Sequence, residues 1–155
     1  MATRDATTTK ATAFQNIVSG PDRNINLAEA ALLIAVPEYP GLDINACLQQ
    51  LDDMATVCRG RLGPSPGAAQ TLTTLGEYLF RDLGFKGDLQ TFTDPRNSFL
   101  NEVLQRRRGI PITLSVLYME VGRRLGLQLH GISFPGHFLV KVEVDGVERV
   151  IDPFS

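Results

Sequence analysis

The order of apolar and polar positions changes once along the chain. Apolar residues recur at three- and four-residue steps through residues 27–125, and they alternate with polar residues after that. The first spacing is typical of helices and the second of strands. The pattern therefore predicts an α+β fold, in which a helical N-terminal half with a buried central helix packs on an antiparallel sheet.

Five helices are predicted, and most begin at a capping residue or end at a helix breaker. The fifth is apolar around most of its circumference, which indicates a central buried helix. Gly122 in its interior costs about 1 kcal/mol relative to Ala, and a close backbone contact is one explanation. The predicted helices run from Leu27 to Val36, from Asp43 to Gly60, from Ala68 to Leu83, from Ser98 to Arg107 and from Pro111 to Gly126.

Three strands are predicted after the fifth helix: 128–134, 137–144 and 147–151. Asp145-Gly146 between the last two favours a type I′ hairpin with a two-residue loop. One face of this hairpin is apolar and is expected to lie in the core: Phe138, Val140, Val142, Val144, Val147 and Ile151.

The same hairpin brings two chemically useful side chains to its other face. With a two-residue loop, Leu139 pairs with Asp152, and His137 becomes a diagonal neighbour of Asp152 at about 7–8 Å between Cα atoms. A carboxylate bound to one imidazole nitrogen leaves the other nitrogen free to act as a base. Such a pair also occurs as a purely structural contact that pins a hairpin, so both interpretations stay open.

Length and composition restrict the class of protein. A chain of 155 residues predicts one domain, here 25–155, preceded by a poorly ordered tail over residues 1–24. The net charge of -2 argues against a general nucleic-acid binder, and the longest apolar run is too short to span a membrane. Cys47 and Cys58 lie too far apart on one helix to pair, which predicts reduced thiols in a cytoplasmic protein.

Further polar residues are candidates for binding or for structural roles. Ser98 is the predicted cap of the fourth helix, while Asn97, Asn101 and Ser115 are candidate binding residues in the cleft that contains His137. The basic run 106–108 ends the fourth helix and is expected to be solvated there. Neither histidine has metal-ligand spacing with Cys, Asp or Glu, so we expect no metal and no cofactor.

Several motifs resemble the transglutaminase-like superfamily, specifically its SirB branch, whose domain also occurs in some F-box proteins. The resemblance covers residues 26–154. It is carried by LAEAALLIA (27–35), YLFRDLGFKG (78–87), DPRNSFLNEVLQRRRGIPITLSVLYMEVGRRLGL (94–127), FPGHFLVKV (134–142) and IDPF (151–154).

This resemblance implies a papain-like core, with a Cys at the start of the central helix, a His on one strand and an Asp on the next. The His and Asp of that pattern fall on His137 and Asp152. Counting back from the end of the central helix places Pro111 where the Cys would be. Thr113 is the candidate substitute nucleophile in this region, and capping or local hydrogen bonding is the alternative role for its hydroxyl.

The missing Cys suggests a catalytically silent transglutaminase-like domain that binds a protein or peptide in the former cleft. The alternative is an amide-directed hydrolase or acyltransferase, with Thr113 or Ser115 as nucleophile and His137 as base. The resemblance also implies more chain after the Asp-Pro-Phe motif. We therefore expect either a natural short form or a C-terminally truncated domain, whose last strand is an exposed edge that favours a homodimer or lowers stability.

Overall fold

The structure is a computed structural model, and it describes residues 26–135 and 137–154. Helices occupy the first part of this region and an antiparallel sheet the last part, which confirms the α+β prediction. The tail predicted over residues 1–24 lies outside the described residues.

The first two helices begin where the capping residues predict. α1 is Leu27–Ala35 and α2 is Ile44–Arg61. The side chain of Asn26 accepts a hydrogen bond from the Glu29 N–H, and that of Asp43 accepts one from the Ala46 N–H, each at 3.0 Å. Both bonds satisfy an N–H group that a helix start leaves without an intrahelical partner.

The third predicted helix is divided in two. α3 is Ala68–Gly76, and a π-helical segment, Glu77–Asp82, continues it. Phe80 in this segment stacks on Tyr118, with ring centroids 5.8 Å apart. Hydrophobic spacing does not distinguish an α-helix from a π-helix here, because the hydrogen bonds of the two differ in span by only one residue.

The fourth helix starts later than predicted. A 3-10 turn covers Pro95–Ser98, and α4 is Leu100–Arg106. The prediction that Ser98 caps this helix is wrong, because Ser98 ends the 3-10 turn and the N-cap of α4 is Phe99, which makes no side-chain capping bond. Asp94 caps the 3-10 turn, where its side chain accepts the Arg96 N–H at 3.0 Å. Proline directly after Asp94 is suited to the first position of a helical turn and starts the 3-10 turn there.

Two short strands that the pattern did not predict flank this region. β1 is Lys86–Gly87 and β2 is Arg108–Gly109, and they pair in parallel. β2 leads directly into α5, Pro111–Arg124. Two residues are too short a run to show the alternation by which a strand is recognised.

The sheet contains β3 (Leu129–Phe134), β4 (His137–Val144) and β5 (Val147–Ile151) in that order. The two-residue loop is confirmed: Val144 pairs with Val147, and Asp145 and Gly146 have φ of 53° and 79°. Positive φ at both positions is what a type I′ turn requires.

The apolar face of the hairpin is buried only in part. Val140, Val142 and Val144 of β4 are buried, whereas Val147 is 61% exposed. The prediction that Val147 lies in the core is therefore wrong. Val147 begins β5, an edge strand, while α5 packs on β3 and on the central strand β4.

α5 is the central helix, as its pattern predicts. Nine of its residues are buried, and it packs against α2, α3, β3 and β4. A Cβ built on Gly122 would lie 2.3 Å from Leu129 Cδ1. The close approach of β3 therefore explains why this helix has a glycine in its interior.

Candidate functional site

The start of α5 and the β3–β4 turn lie at the same end of the molecule. A Cβ built on Gly131 would lie 3.6 Å from Met119 Cε, and Gly122 approaches Leu129. Later residues of α5 thus lie beside earlier residues of β3, so the two elements run in opposite directions. The first turn of α5 is consequently level with the end of β3, where β4 begins at His137.

The first turn of α5 is closed by its own residues and by the preceding 3-10 turn. Pro111 occupies the first helical position. The Thr113 hydroxyl donates to the Asn97 carbonyl at 2.8 Å and accepts the Ile110 N–H at 3.1 Å. Thr113 is buried, and these bonds join the helix start to the segment before α4. The candidate nucleophile hydroxyl therefore makes the contacts of a capping group.

His137 is exposed at the first position of β4. The next side chain, Phe138, lies over Gly131, where a Cβ would be 2.5 Å from the Phe138 ring. Because neighbouring residues in a strand face opposite ways, His137 lies on the face that does not cover α5. The register pairs Val140 with Ile151, and one step further places Leu139 opposite Asp152. The hairpin geometry behind the predicted His–Asp pair is present, and the contact itself stays a prediction.

Asp152 starts a turn that anchors the end of the described chain. Its Oδ1 accepts the Phe154 N–H at 3.0 Å. The Phe154 ring then packs on the backbone of Gly87, where a Cβ would be 2.4 Å from it. Phe154 also meets Phe92 edge-on, with ring centroids 6.1 Å apart. These contacts tie the Asp152 segment to β1, and β1 pairs with the strand that leads into α5.

Asn97 is fully buried, and its side chain is completely engaged. Its Nδ2 donates to Asp88 Oδ2 at 3.1 Å and to the Thr91 carbonyl at 2.9 Å, while its Oδ1 accepts from Arg106 at 3.2 Å. With Thr113 bound to its carbonyl, Asn97 connects the loop after β1, the end of α4 and the start of α5. It supports the site from within the protein.

Two carboxylates next to Asn97 are held ionised. Hydrogen bonds from the Thr91 hydroxyl and N–H lower the pKa of Asp88 to about 2. The Arg96 guanidinium, bound at 2.6 Å, lowers the pKa of Asp94 to about 2. Arg106 lies 3.7 Å from Asp88 and 3.8 Å from Asp94, which places a positive charge between them.

The basic run 106–108 is bonded within the protein, and the expectation that it is merely solvated is wrong. Arg106 points toward Asp88 and Asp94. Arg107 donates to the Leu83 carbonyl at 2.8 Å, and Arg108 donates to the Gly84 carbonyl at 3.3 Å. The two carbonyls follow the π-helical segment, so these guanidinium groups satisfy acceptors that a helix end leaves open.

The other two candidate binding residues carry polar atoms without a partner. Ser115 Oγ and Asn101 Oδ1 are buried and make no hydrogen bond. Ser115 is fully buried, and Asn101 is partly exposed. The sequence does not predict these two missing hydrogen bonds, because buried hydroxyl and amide groups usually have a partner.

Both cysteines lie on α2, and both are buried. Burial raises the pKa of the Cys47 thiol and of the Cys58 thiol. Thiols with raised pKa values are protonated at neutral pH, and the protonated form is a poor nucleophile.

Residues 26–135 and 137–154 contain no group of three or more His, Cys, Asp or Glu that could hold a metal ion. No helix in this part of the chain is both long and apolar enough to span a membrane.

The polar cluster of Asp88, Thr91 and Arg106 is absent from the sequence-based candidates. Asp88 followed by Thr91 has the three-residue spacing of a capping interaction, and the structure shows that bond. This spacing was a usable signal. The contact with Arg106 joins elements that are distant in sequence, and no local pattern predicts it.

Comparison with known proteins gives one consistent family. Residues 45–155 match the family model described as transglutaminase-like superfamily. A UPF0162 protein of Xylella fastidiosa (strain Temecula1) is 41% identical over 142 residues, which are 92% of this chain and 50% of that protein. A UPF0162 protein of Pseudomonas aeruginosa is 34% identical over 127 residues, 82% of this chain and 46% of that protein.

A shorter match involves a eukaryotic protein. Human F-box only protein 21 is 38% identical over 73 residues, 47% of this chain and 12% of that protein. The chain spans about half the length of the UPF0162 proteins that it matches over most of its own length. No solved structure matches it.

Proposed function

The chain belongs to the transglutaminase-like superfamily, and we propose that it is a catalytically silent member that binds a protein or peptide. One observation carries this proposal. The start of the central helix, where the superfamily pattern has its Cys, is Pro111, and both cysteines of the chain lie on α2. A prolyl ring supplies neither a nucleophilic atom nor an N–H group.

The side chains near Pro111 support a silent site. The Thr113 hydroxyl is buried, donates to the Asn97 carbonyl and accepts the Ile110 N–H, so a reaction at this oxygen would break the cap of α5. Ser115 is fully buried. A nucleophile must come close to its substrate before it reacts. Both hydroxyl groups are buried, so a substrate at the protein surface does not reach them.

The rest of the site supports a binding role. His137 is exposed, and the Phe154 N–H orients the Asp152 carboxylate. A polar pair at the end of a rigid sheet, on the face directed away from α5, offers hydrogen bonds and charge to a peptide without requiring chemistry. Asn97, Asp88 and Arg106 hold the neighbouring loop in one geometry, which lowers the entropy cost of binding.

An activity assay tests the proposal that the chain is catalytically silent. The purified chain is incubated with a glutamine-containing peptide and a fluorescent primary amine, and separately with a peptide anilide. We expect the same rates as with the His137→Ala variant and as with buffer. Turnover by the wild type that His137→Ala and Thr113→Val both abolish would instead establish the hydrolase or acyltransferase with a hydroxyl nucleophile.

A binding assay tests the other part of the proposal, that the chain binds a peptide. Peptides selected from a random display library on the immobilised chain are synthesised and titrated by fluorescence anisotropy. We expect at least one saturable binder. Its affinity should fall by about tenfold with His137→Asp, a change that replaces an exposed donor with an anion beside Asp152. Failure to recover any saturable binder would contradict a peptide-binding role.

A further inference from the structure

β5 has an unpaired outer edge within the part of the chain that the structure describes. The sheet order places β4 on one side of β5 and no described strand on the other. Because the residue pair that closes a two-residue loop is hydrogen-bonded, Val147, Arg149 and Ile151 bond to β4. The N–H and C=O groups of Glu148 and Val150 therefore point away from the sheet, and no described residue elsewhere in the chain bonds to them. An extended chain segment meets such groups at every second residue.

The face of β4 and β5 that is turned toward α5 carries a single charge. The side chains on this face are those of Val140, Val142, Val144, Val147, Arg149 and Ile151. Arg149 is exposed and forms no ion pair with a described residue. α5 packs on β3 and β4, so Val147 stays 61% exposed. An apolar margin with one unpaired cation in its middle therefore lies along β5.

The other face of β5 has its charge already compensated. Lys141 Nζ of β4 lies 3.2 Å from Glu148 Oε1. Glu148 and Arg149 are the two charged residues of β5. Arg149 is thus the residue of this strand that still lacks a counter-charge, and a carboxylate would supply it.

A second copy of β5 does not supply that carboxylate. A two-fold axis that pairs two edge strands antiparallel leaves each face on its own side, so a residue meets residues of its own face only. The register centred on Arg149 places Arg149 opposite itself, and the register centred on Glu148 places Glu148 opposite itself. The register centred on Val150 places Glu148 opposite Asp152, which follows β5. Like charges directly opposite each other destabilise a strand pair, so the edge favours a strand from another protein.

We propose that β5 is the docking edge for an extended segment of a partner protein, which adds to the sheet as a further antiparallel strand with an Asp or Glu opposite Arg149. Apolar side chains two positions to either side of this acidic residue pack on Val147 and Ile151. The alternate residues exchange backbone hydrogen bonds with Glu148 and Val150. The position opposite Arg149 has no backbone bonds across the pair, and side chains of neighbouring strands come closest at such positions.

The two kinds of contact have different effects on binding. Backbone hydrogen bonds along the edge give affinity, and the carboxylate–guanidinium pair gives specificity. This inference rests on the proposed binding function and names the surface, the backbone conformation and the chemistry of the partner.

The test uses the full chain and a fluorescent, terminally blocked peptide with the core Val-Thr-Glu-Thr-Val, here the Glu peptide. We expect saturable binding by fluorescence anisotropy, and exchange of its Glu for Lys should weaken binding about fivefold. N-methylation of both Thr residues should abolish saturable binding, because their N–H groups meet the carbonyls of Glu148 and Val150. N-methylation of the Glu, whose N–H points away from β5, should leave affinity within about twofold.

Variants of the protein test the same contacts from the other side. Arg149→Glu should reverse the preference, so that the peptide with Lys binds more tightly than the Glu peptide. Lys86→Glu is the matched control, since it makes the same charge change at an exposed position of β1, and it should leave both affinities within about twofold. Amide hydrogen exchange at Glu148 and Val150 should slow when the Glu peptide binds. Thermal unfolding checks that each variant is folded.

Several results would overturn the inference. These are no saturable binding of the Glu peptide, equal binding of the peptide methylated at both Thr residues, and an unchanged preference in Arg149→Glu. A second copy at this edge would compete for the same backbone groups, so any dimer should dissociate as the Glu peptide is added. A dimer that persists in light scattering at saturating peptide would show that the peptide docks elsewhere.

The two proposals fail in different ways. Library peptides that depend on His137, together with a Glu peptide that does not bind, would leave the binding function in place and overturn the docking edge. Absence of saturable binding both by library peptides and by the Glu peptide would contradict both.

Discussion

Two hydroxyl groups on α5 show how strongly the role of a residue depends on its neighbours. Thr113 and Ser115 are both buried and lie two positions apart. Thr113 bonds to Asn97 and Ile110, whereas Ser115 has no partner. Two positions on a helix differ by about 200° around its axis, so the two side chains meet different surroundings.

This contrast predicts opposite effects of the same substitution. Ser115→Ala removes an unsatisfied buried hydroxyl and should raise the free energy of unfolding by about 1 kcal/mol. Thr113→Ala removes a cap and leaves its partners unsatisfied, so it should lower that free energy by about 1–3 kcal/mol. Urea denaturation of both variants measures the difference. Destabilisation by Ser115→Ala equal to that by Thr113→Ala would show that Ser115 has a partner in solution.

At the scale of elements, the loop from Asp88 to Asp94 links stability to pH. Asp88 has a pKa of about 2 in the folded protein, mainly because of Thr91, and an ordinary Asp in an unfolded chain titrates near 3.9. Between these values the unfolded state binds more protons than the folded state. The free energy of unfolding therefore falls as the pH falls from about 4 to about 2.

The prediction concerns how steeply the free energy of unfolding changes with pH between about 4 and about 2. Asp88→Asn should reduce the dependence of the unfolding free energy on pH between about 4 and 2, because one of the two carboxylates with a pKa of about 2 is gone and Asp94 remains. Thr91→Val should also reduce this pH dependence, because it removes the hydroxyl hydrogen bond that contributes most to the lowered pKa of Asp88. Chemical denaturation at several pH values measures the slope. A wild-type slope retained in both variants would contradict the role of Asp88.

The β4–β5 turn is a second element with a defined conformational requirement. Gly146 has a φ of 79°, a region that side chains with a Cβ rarely adopt. Gly146→Ala should lower the free energy of unfolding by about 1–2 kcal/mol. Gly41→Ala is the control, since a Cβ there meets nothing within 4 Å and its φ is not positive. Equal thermal unfolding of the two variants would argue against a strained turn.

For the whole molecule, the homodimer through a sheet edge stays a prediction. β5 is the edge strand where it would form, and Val147 and Val150 are both exposed there. Light scattering after size exclusion should then give twice the chain mass of 17.0 kDa, and Val150→Lys should reduce it to one chain. A single-chain mass for the wild type would contradict the homodimer.

Much of the fold follows from local patterns. Helix caps at Asn26 and Asp43, the bounds of β4 and β5 and the two-residue turn were all predicted, because each depends on residues within one or two turns of chain. The register that makes His137 a diagonal neighbour of Asp152 was also predicted, because it follows from the length of the turn. The π-helical segment and the 3-10 turn were missed, since each differs from an α-helix by a single step in its hydrogen bonding.

The same distinction between local patterns and long-range packing applies to the site. Periodicity and turn chemistry follow from neighbours in the chain, so they were enough to predict the helices, the hairpin and the positions of its polar residues. Long-range packing decided the rest: that Asn97 is fully bonded inside the protein, that Arg106 turns inward between two carboxylates, and that Leu89 and Phe92 remain in water. Contacts of this kind join elements brought together only by folding, and no local pattern in the chain records them.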